Sequence, residues 1–262
     1  MGAGLKYIII KFLSLVLPDR LKQMLLHLSF HLARPEFEKF AYYYSFAPNM
    51  LLGLEEIARR GFLPKTIVDV GAFEGNWSKL ARRIWPEGRL VMIEPNVEKR
   101  PQLTSVAKEL DATLFYELLG SENNRVVSFN IMGSGSGVMS ERSAVPRRAE
   151  ARELRTMDSL LKEIEPPGIL KIDAQGYELE ILRGALQVLP SFEAVLLEIA
   201  VIEINEGAPL LHDVIAFMKN VGFITYDILE LHRRPLDGAL NQIDIIFVRE
   251  QSALIFDKRH FI

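Results

Sequence analysis

Cysteine is absent from the 262 residues, and its absence removes several chemistries at once. No disulfide framework, thiolate nucleophile, or Cys-ligated zinc or iron–sulfur centre can be built from this chain. A large charge excess is missing as well: 31 Lys and Arg against 34 Asp and Glu leave a net charge of −3. Nucleic-acid binders usually carry a basic stripe or a domain-wide basic surplus, so no nucleic-acid partner is expected. None of the five histidines falls into an HxH or HExxH spacing.

Long apolar runs are also scarce. Residues 5–34, LKYIIIKFLSLVLPDRLKQMLLHLSFHLAR, come nearest, but Lys11 interrupts the run and Pro18-Asp19 ends it. That is too short and too charged for a transmembrane helix, and no small-residue cleavage site follows to make it a signal peptide. Two amphipathic helices divided at Pro18-Asp19 are expected instead. Such helices can lie on a membrane surface, join two chains into a homo-oligomer, or pack on the main domain. A cytoplasmic protein with peripheral membrane contact through residues 1–34 would fit this pattern.

The rest of the chain has the material for a core, with 49% apolar residues, and its 25% charged residues argue against long disorder. A helical extension over residues 1–60 is expected to precede a single domain over 61–262. Residues 35–60 read as helix, closed by ARRGF with Gly61 at the C-cap position. KTIVDVGA, RLVMIEPN, ATLFYELLG, GILKIDAQG and AVLLEIAV read as buried strands. The helical segments 76–84, one through about residue 110, MDSLLKEI and YELEILRGALQVL lie between them, and HDVIAFMKNVGF follows the last. ITYDILEL and QIDIIFVR close the chain as two strands around the loop HRRPLDGALN, with no helix between them. Apolar strands alternating with helices predict a doubly wound α/β sheet, mostly parallel, with one antiparallel strand at the end.

The turn in TIVDVGAFEGNWSKL, residues 66–80, follows the first strand, where ligands of such sheets bind. A P-loop needs a lysine after its last glycine, but Gly75 is followed by Asn76 and Trp77. A dinucleotide fingerprint needs a second glycine where Phe73 stands, and Glu74 adds negative charge where a pyrophosphate wants donors. A cationic nucleoside without phosphate, S-adenosylmethionine (SAM), suits this turn better. Asp69 can face its cationic side, while Gly71 and Gly75 let it lie against the backbone. Glu94, at the end of the second strand, can accept hydrogen bonds from both ribose hydroxyls. Structural roles for the same residues are a turn cap for Asp69, close packing for Gly75 and a core position for Trp77.

VDVGAFEGNWS, MIEPN, RTMDSLL and LKIDAQGYELEILRGA, in that order, resemble the FkbM family of SAM-dependent methyltransferases. The resemblance runs from about residue 64 to 249. It implies a class I, Rossmann-like methyltransferase with a seven-stranded sheet whose last strand is antiparallel. It also implies transfer to hydroxyl oxygens. On this chain it places Asp69, Gly71, Ala72, Gly75 and Asn76 around the methionine part of SAM, Glu94 on the ribose, and Gly120 and Ser121 near the adenine. Family members often carry Val-Glu where this chain has Ala174-Gln175, which removes a charge near the fourth strand's end.

Asp173 and Glu198 put two carboxylates at neighbouring strand ends. O-methylation needs an alcohol made nucleophilic by a base or by a divalent cation. Asp173 is therefore a candidate base, and Asp173 with Glu198 a candidate Mg²⁺ site. Lys171, on the same strand face as Asp173, must be paired if buried, so a purely structural Lys171–carboxylate pair is the competing reading. Glu178 can cap the following helix or turn inward. His232 falls in the terminal loop, where a solvated side chain is the simplest expectation. Residues 132–148, MGSGSGVMSERSAVPRR, supply glycines, hydroxyls and arginines suited to a polar acceptor. The expected function is an O-methyltransferase for a small hydroxylated metabolite or a glycan. The alternatives are N- or C-methylation, or a non-catalytic SAM-fold protein at a membrane or on a protein partner.

Overall fold

The computed structural model describes residues 17–43 and 47–260. The chain divides into two compact units, residues 1–49 and 50–262. In the first, helix α1 (Asp19–Leu32) starts directly after Pro18 and is followed by α2 (Arg34–Tyr43). The helix expected before Pro18 lies outside the described residues. The single helix expected over 35–60 is instead two, α2 and α3 (Met50–Arg59), with Pro48 in the connection, because a proline disfavours helix at the residue before it. Helix α3 belongs to the second unit: Leu54 and Ile57 are buried in its core.

The second unit is built on a seven-stranded sheet in the order β3-β2-β1-β7-β8-β10-β9. Strands β1 (Thr66–Val70), β2 (Arg89–Ile93), β3 (Ala112–Phe115), β7 (Gly168–Ile172) and β8 (Phe192–Ala200) pair in parallel. Strand β10 (Leu240–Arg249) runs antiparallel to both β8 and β9 (Phe223–Arg233). The fold class predicted from strand and helix alternation is the one observed.

Period-two alternation divides the buried strand residues between two cores. Ile67, Leu90, Met92, Ile169 and Leu196 face α3, α4 (Asn76–Ile84) and α5 (Arg100–Glu109). Their neighbours Val68, Val91, Ile93, Leu170 and Leu197 face the other way. There they meet α7 (Glu178–Arg183), α8 (Leu211–Asn220) and a small sheet of β4 (Leu118–Leu119), β6 (Arg148–Arg155) and β5 (Val126–Ile131). The short helix α6 (Met157–Leu160) leads from the small sheet into β7.

Three local expectations change. ATLFYELLG is two strands in two sheets: β3 ends at Phe115 beside Ile93, and β4 pairs with β6. The arginine-rich stretch contains a strand, β6, with one face exposed and only Leu154 fully buried on the other. It is held by its ladder to β5 and carries little apolar pattern to announce it. His232 and Arg233 are the last residues of β9, so the terminal connection is a short turn.

The turn after β1 is fixed from both sides. Gly71 and Ala72 donate their amides to the carbonyl of Ile93, and Asp173 donates its amide to the carbonyl of Val70. At Gly71, φ is +77° and an added Cβ would fall 1.9 Å from the carbonyl oxygen of Asp173. Gly71→Ala is therefore expected to destabilise the protein by more than the ~1–3 kcal/mol that a strained backbone conformation alone costs, read as a lower urea midpoint. An unchanged midpoint would mean that the turn and Asp173 are not in contact.

Candidate active site

The carboxyl ends of β1, β2, β7 and β8 open onto one cavity of about 530 Å³. One wall is the first turn, where Gly71, Phe73 and Gly75 all have positive φ, at 77°, 48° and 77°. Phe73 thus holds a glycine-like conformation with a full side chain, and its ring lies 3.8 Å from the Lys99 ammonium. Lys99 also neutralises Glu74 across 2.7 Å.

Glu94 is buried and lines the same cavity. Its two oxygens accept the amides of Phe73 at 2.8 Å and Asn96 at 2.7 Å. A turn amide that could have bound a phosphate is thereby satisfied by a carboxylate. That arrangement repels an anion and leaves further lone pairs on Glu94 for hydroxyl donors. Burial raises the pKa of Glu94, against the lowering effect of those two amides.

At the far wall, Asp173 and Glu198 face the cavity across Gln175, whose Nε2 donates to Asp173 Oδ1 and Glu198 Oε2, each at 3.0 Å. Gln242 Nε2 donates to the same Glu198 oxygen at 2.8 Å. Gln175 holds φ at 54°, a strained conformation for a non-glycine residue. A glutamate at this position would set a third carboxylate against the other two; the amide joins them instead. Burial, followed by the charge of Asp173, pushes the pKa of Glu198 well above the carboxylate range.

Beneath this wall lies Lys171, with Nζ 3.5 Å from Asp69 Oδ1 and 3.4 Å from Asp173 Oδ2. Burial works against its charge, but Asp173 and Asp69 outweigh that and keep the ammonium strongly held. Asp69 is fully buried and also accepts from Ser78 Oγ at 2.6 Å.

Of the residues singled out from sequence, Gly71, Glu94, Asp173 and Glu198 line the cavity together. Asp69 and Lys171 sit behind it and reach it only through Asp173. Ala72 is in the core, and Gly75 packs against Val106 and Met92 where α4 meets the sheet. Asn76 is exposed at the start of α4. Gly120 and Ser121, expected near the adenine, are not on the cavity wall: Ser121 Oγ is turned to Glu180 at 2.6 Å, and Glu117, Leu118 and Leu119 stand there instead. Splitting the expected third strand is what displaces them.

The glycine-rich stretch from Met132 to Val138 lines the cavity, as expected of a substrate-facing segment. Arg148 does not, being paired with Glu98 and Glu150. Phe73, Phe129 and Gln242 were not singled out beforehand for the wall. Only the apolar alternation of β5 and the polar break in QIDIIFVR hinted at the last two.

Glu178 turns inward beneath the loop after β7, where its Oε1 accepts the amides of Ala174 and Gly176. His232 is not solvated: it is half-buried and bonded to Asp244 Oδ2 at 2.6 Å, which raises its pKa against the effect of burial. It lines a second cavity of about 520 Å³ that shares Glu141, Gln175 and Gln242 with the first.

The sheet order, the phosphate-averse turn and the acidic strand ends define a class I, SAM-dependent methyltransferase fold. The chain matches the methyltransferase FkbM domain over residues 69–225 and belongs to that family of SAM-dependent methyltransferases. No curated protein matches it. Among solved structures it is similar to methyltransferase FkbM from Methylobacillus flagellatus KT, with 16% identity and a TM-score of 0.45 over 70% of this chain and 43% of that one. It is also similar to precorrin-6y C5,15-methyltransferase from Geobacter metallireducens GS-15, with 15% identity and a TM-score of 0.43 over 75% and 84%. The chain thus spans less than half the length of the Methylobacillus protein.

Burial raises the pKa of Glu178 from 4.5 to about 7. The folded state therefore holds this proton more tightly than the unfolded state. The stability it confers is complete below pH 4.5 and is lost as pH rises through about 7. Glu198 and Glu94 act with the same sign. Unfolding free energy is expected to fall between pH 5 and 8, and Glu178→Gln to reduce that fall by up to about 3 kcal/mol. An unchanged pH slope in the variant would assign the effect to the other carboxylates.

Proposed function

We propose that this protein is an O-methyltransferase acting on a hydroxyl group of a small metabolite or a sugar. The observation that carries the proposal is a single cavity with Glu94 and the first turn at one wall and Asp173 and Glu198 at the other. In this reading Gly71 gives the methionine part of SAM access to the backbone, and Glu94 accepts from the ribose hydroxyls. SAM supplies an electrophilic methyl group on sulfur. The protein's work is to hold the acceptor hydroxyl in line with that methyl and to receive its proton on Asp173, while Gln175 and Lys171 fix the carboxylate's position. The polar loop from Met132 to Val138 supports a hydroxylated acceptor. The chain also lacks an Asn/Asp-Pro-Pro-Tyr segment of the kind used on exocyclic amines.

The Mg²⁺ version of the site fits less well. Gln175 and Gln242 aim amide N–H groups at the oxygens a cation would need, so both amides would have to rotate to complete an oxygen cage. The mechanism therefore rests on proton transfer to a carboxylate.

Calorimetric titration with SAM, S-adenosylhomocysteine and NAD, with and without Mg²⁺, tests the cofactor half of the proposal. Binding of both adenosyl ligands without response to NAD or Mg²⁺ is the expected result. Asp173→Asn should then keep SAM binding and lose about 10²–10⁴-fold in turnover on hydroxylated acceptors. NAD binding without SAM binding would overturn the assignment.

A role at a membrane surface, within a cytoplasmic setting, is proposed for the first unit. Met24, Leu25, Leu28, Phe37 and Phe40 are exposed on α1 and α2, and basic residues lie among them. No helix among the described residues is long and apolar enough to cross a membrane. Co-sedimentation with anionic liposomes is expected for the full chain and not for a chain lacking residues 1–34. Binding that survives the deletion would refute anchoring, and concentration-dependent self-association without liposome binding would favour a homo-oligomer contact.

A further inference from the structure

A row of three carboxylates crosses the C-terminal half of the sheet. Asp244 on β10 stands opposite Glu198 on β8 and Glu230 on β9. Like charges placed directly opposite in a sheet repel, and nothing in the methyl-transfer reading makes use of Glu230 or Asp244. Lys171 is already shared between Asp69 and Asp173, while the His232 imidazole Nε2 lies 2.6 Å from Asp244 Oδ2. His232 and Glu230 are two apart on β9 and share a face; Asp244 meets them from β10.

We propose that Glu230, His232 and Asp244 form a divalent-cation site that takes Mn²⁺ or Zn²⁺. One donor atom from each of the three side chains lies within 4.8 Å of the other two. Donors on one such ion, at bonds of about 2.0–2.2 Å, lie within about 4.4 Å of one another, so small side-chain rotations close the set. One imidazole nitrogen with two carboxylates suits a first-row ion better than Mg²⁺, which prefers oxygen alone. The ligands stand on two hydrogen-bonded strands and not on loops, so the site is held in shape before an ion arrives. His232 also lines the second cavity, together with Arg142, Asn205 and Gln242. The remaining coordination positions are therefore available to water or to oxygen atoms of a molecule bound there.

This site uses neither Asp173 nor Glu198 as a ligand and does not depend on the identity of the methyl acceptor. Its test is titration of the tag-free full chain, stripped with chelator, using Co²⁺ absorption in the visible and Mn²⁺ electron paramagnetic resonance. A His27→Ala background removes a histidine pair that could bind an ion elsewhere, in which His27 and His31 have Nε2 atoms 3.0 Å apart. One ion per chain is expected, with affinity falling more than about tenfold in Glu230→Gln and in His232→Gln and unchanged in Asp173→Asn. Glu230 is exposed, so its variant should fold even if changes at buried Asp244 do not. Absence of binding, or binding lost in Asp173→Asn and kept in the other two variants, would overturn the proposal. Either result leaves SAM titration as an independent readout of the catalytic reading.

Discussion

The ammonium of Lys171, buried between Asp69 and Asp173, is the interaction on which the rest of the site depends. It joins the carboxyl ends of β1 and β7, the two strands at the centre of the sheet. Lys171 and Asp69 are buried, and a buried charge is tolerated only when it is paired, so removing Lys171 would leave Asp69 without its counter-charge. Asp69 in turn is gripped by Ser78 from α4, so the same contact sets the start of that helix. The cavity wall at Asp173 is positioned from behind, by residues that never reach the cavity.

The first turn shows how one carboxylate chooses between ligand classes. Its backbone adopts the left-handed conformations of a glycine-rich phosphate loop, yet Glu94 accepts the Phe73 amide that a phosphate would have used. The turn keeps the close approach of a nucleotide-binding loop and reverses its electrostatic preference. On the opposite wall, Gln175 does related work by placing a neutral donor between two acids that would otherwise repel.

The fold was largely legible because each central strand is a short, nearly continuous apolar run, the pattern of a parallel strand buried on both faces. Where that pattern fails, the reading fails with it. Strand β6 exposes most of its side chains and exists through its hydrogen bonds to β5. Beyond Phe115 the chain leaves one sheet for another, and that is why Gly120 and Ser121 stand outside the cavity and Leu118 stands inside. His232 gave no signal of its own, because its partner Asp244 lies on the next strand and only strand register brings the two together.

The order of the central strands and the helices between them, the family and the residues at the strand ends follow from the sequence by itself, since local patterning and short motifs encode them. Which of those residues face the ligand was decided by the tertiary structure. Asp69 and Glu94 are both acids at the ends of neighbouring strands, but Asp69 points into the packing beneath the turn and Glu94 into the cavity. That difference comes from what packs above each strand, and residues distant along the chain set it.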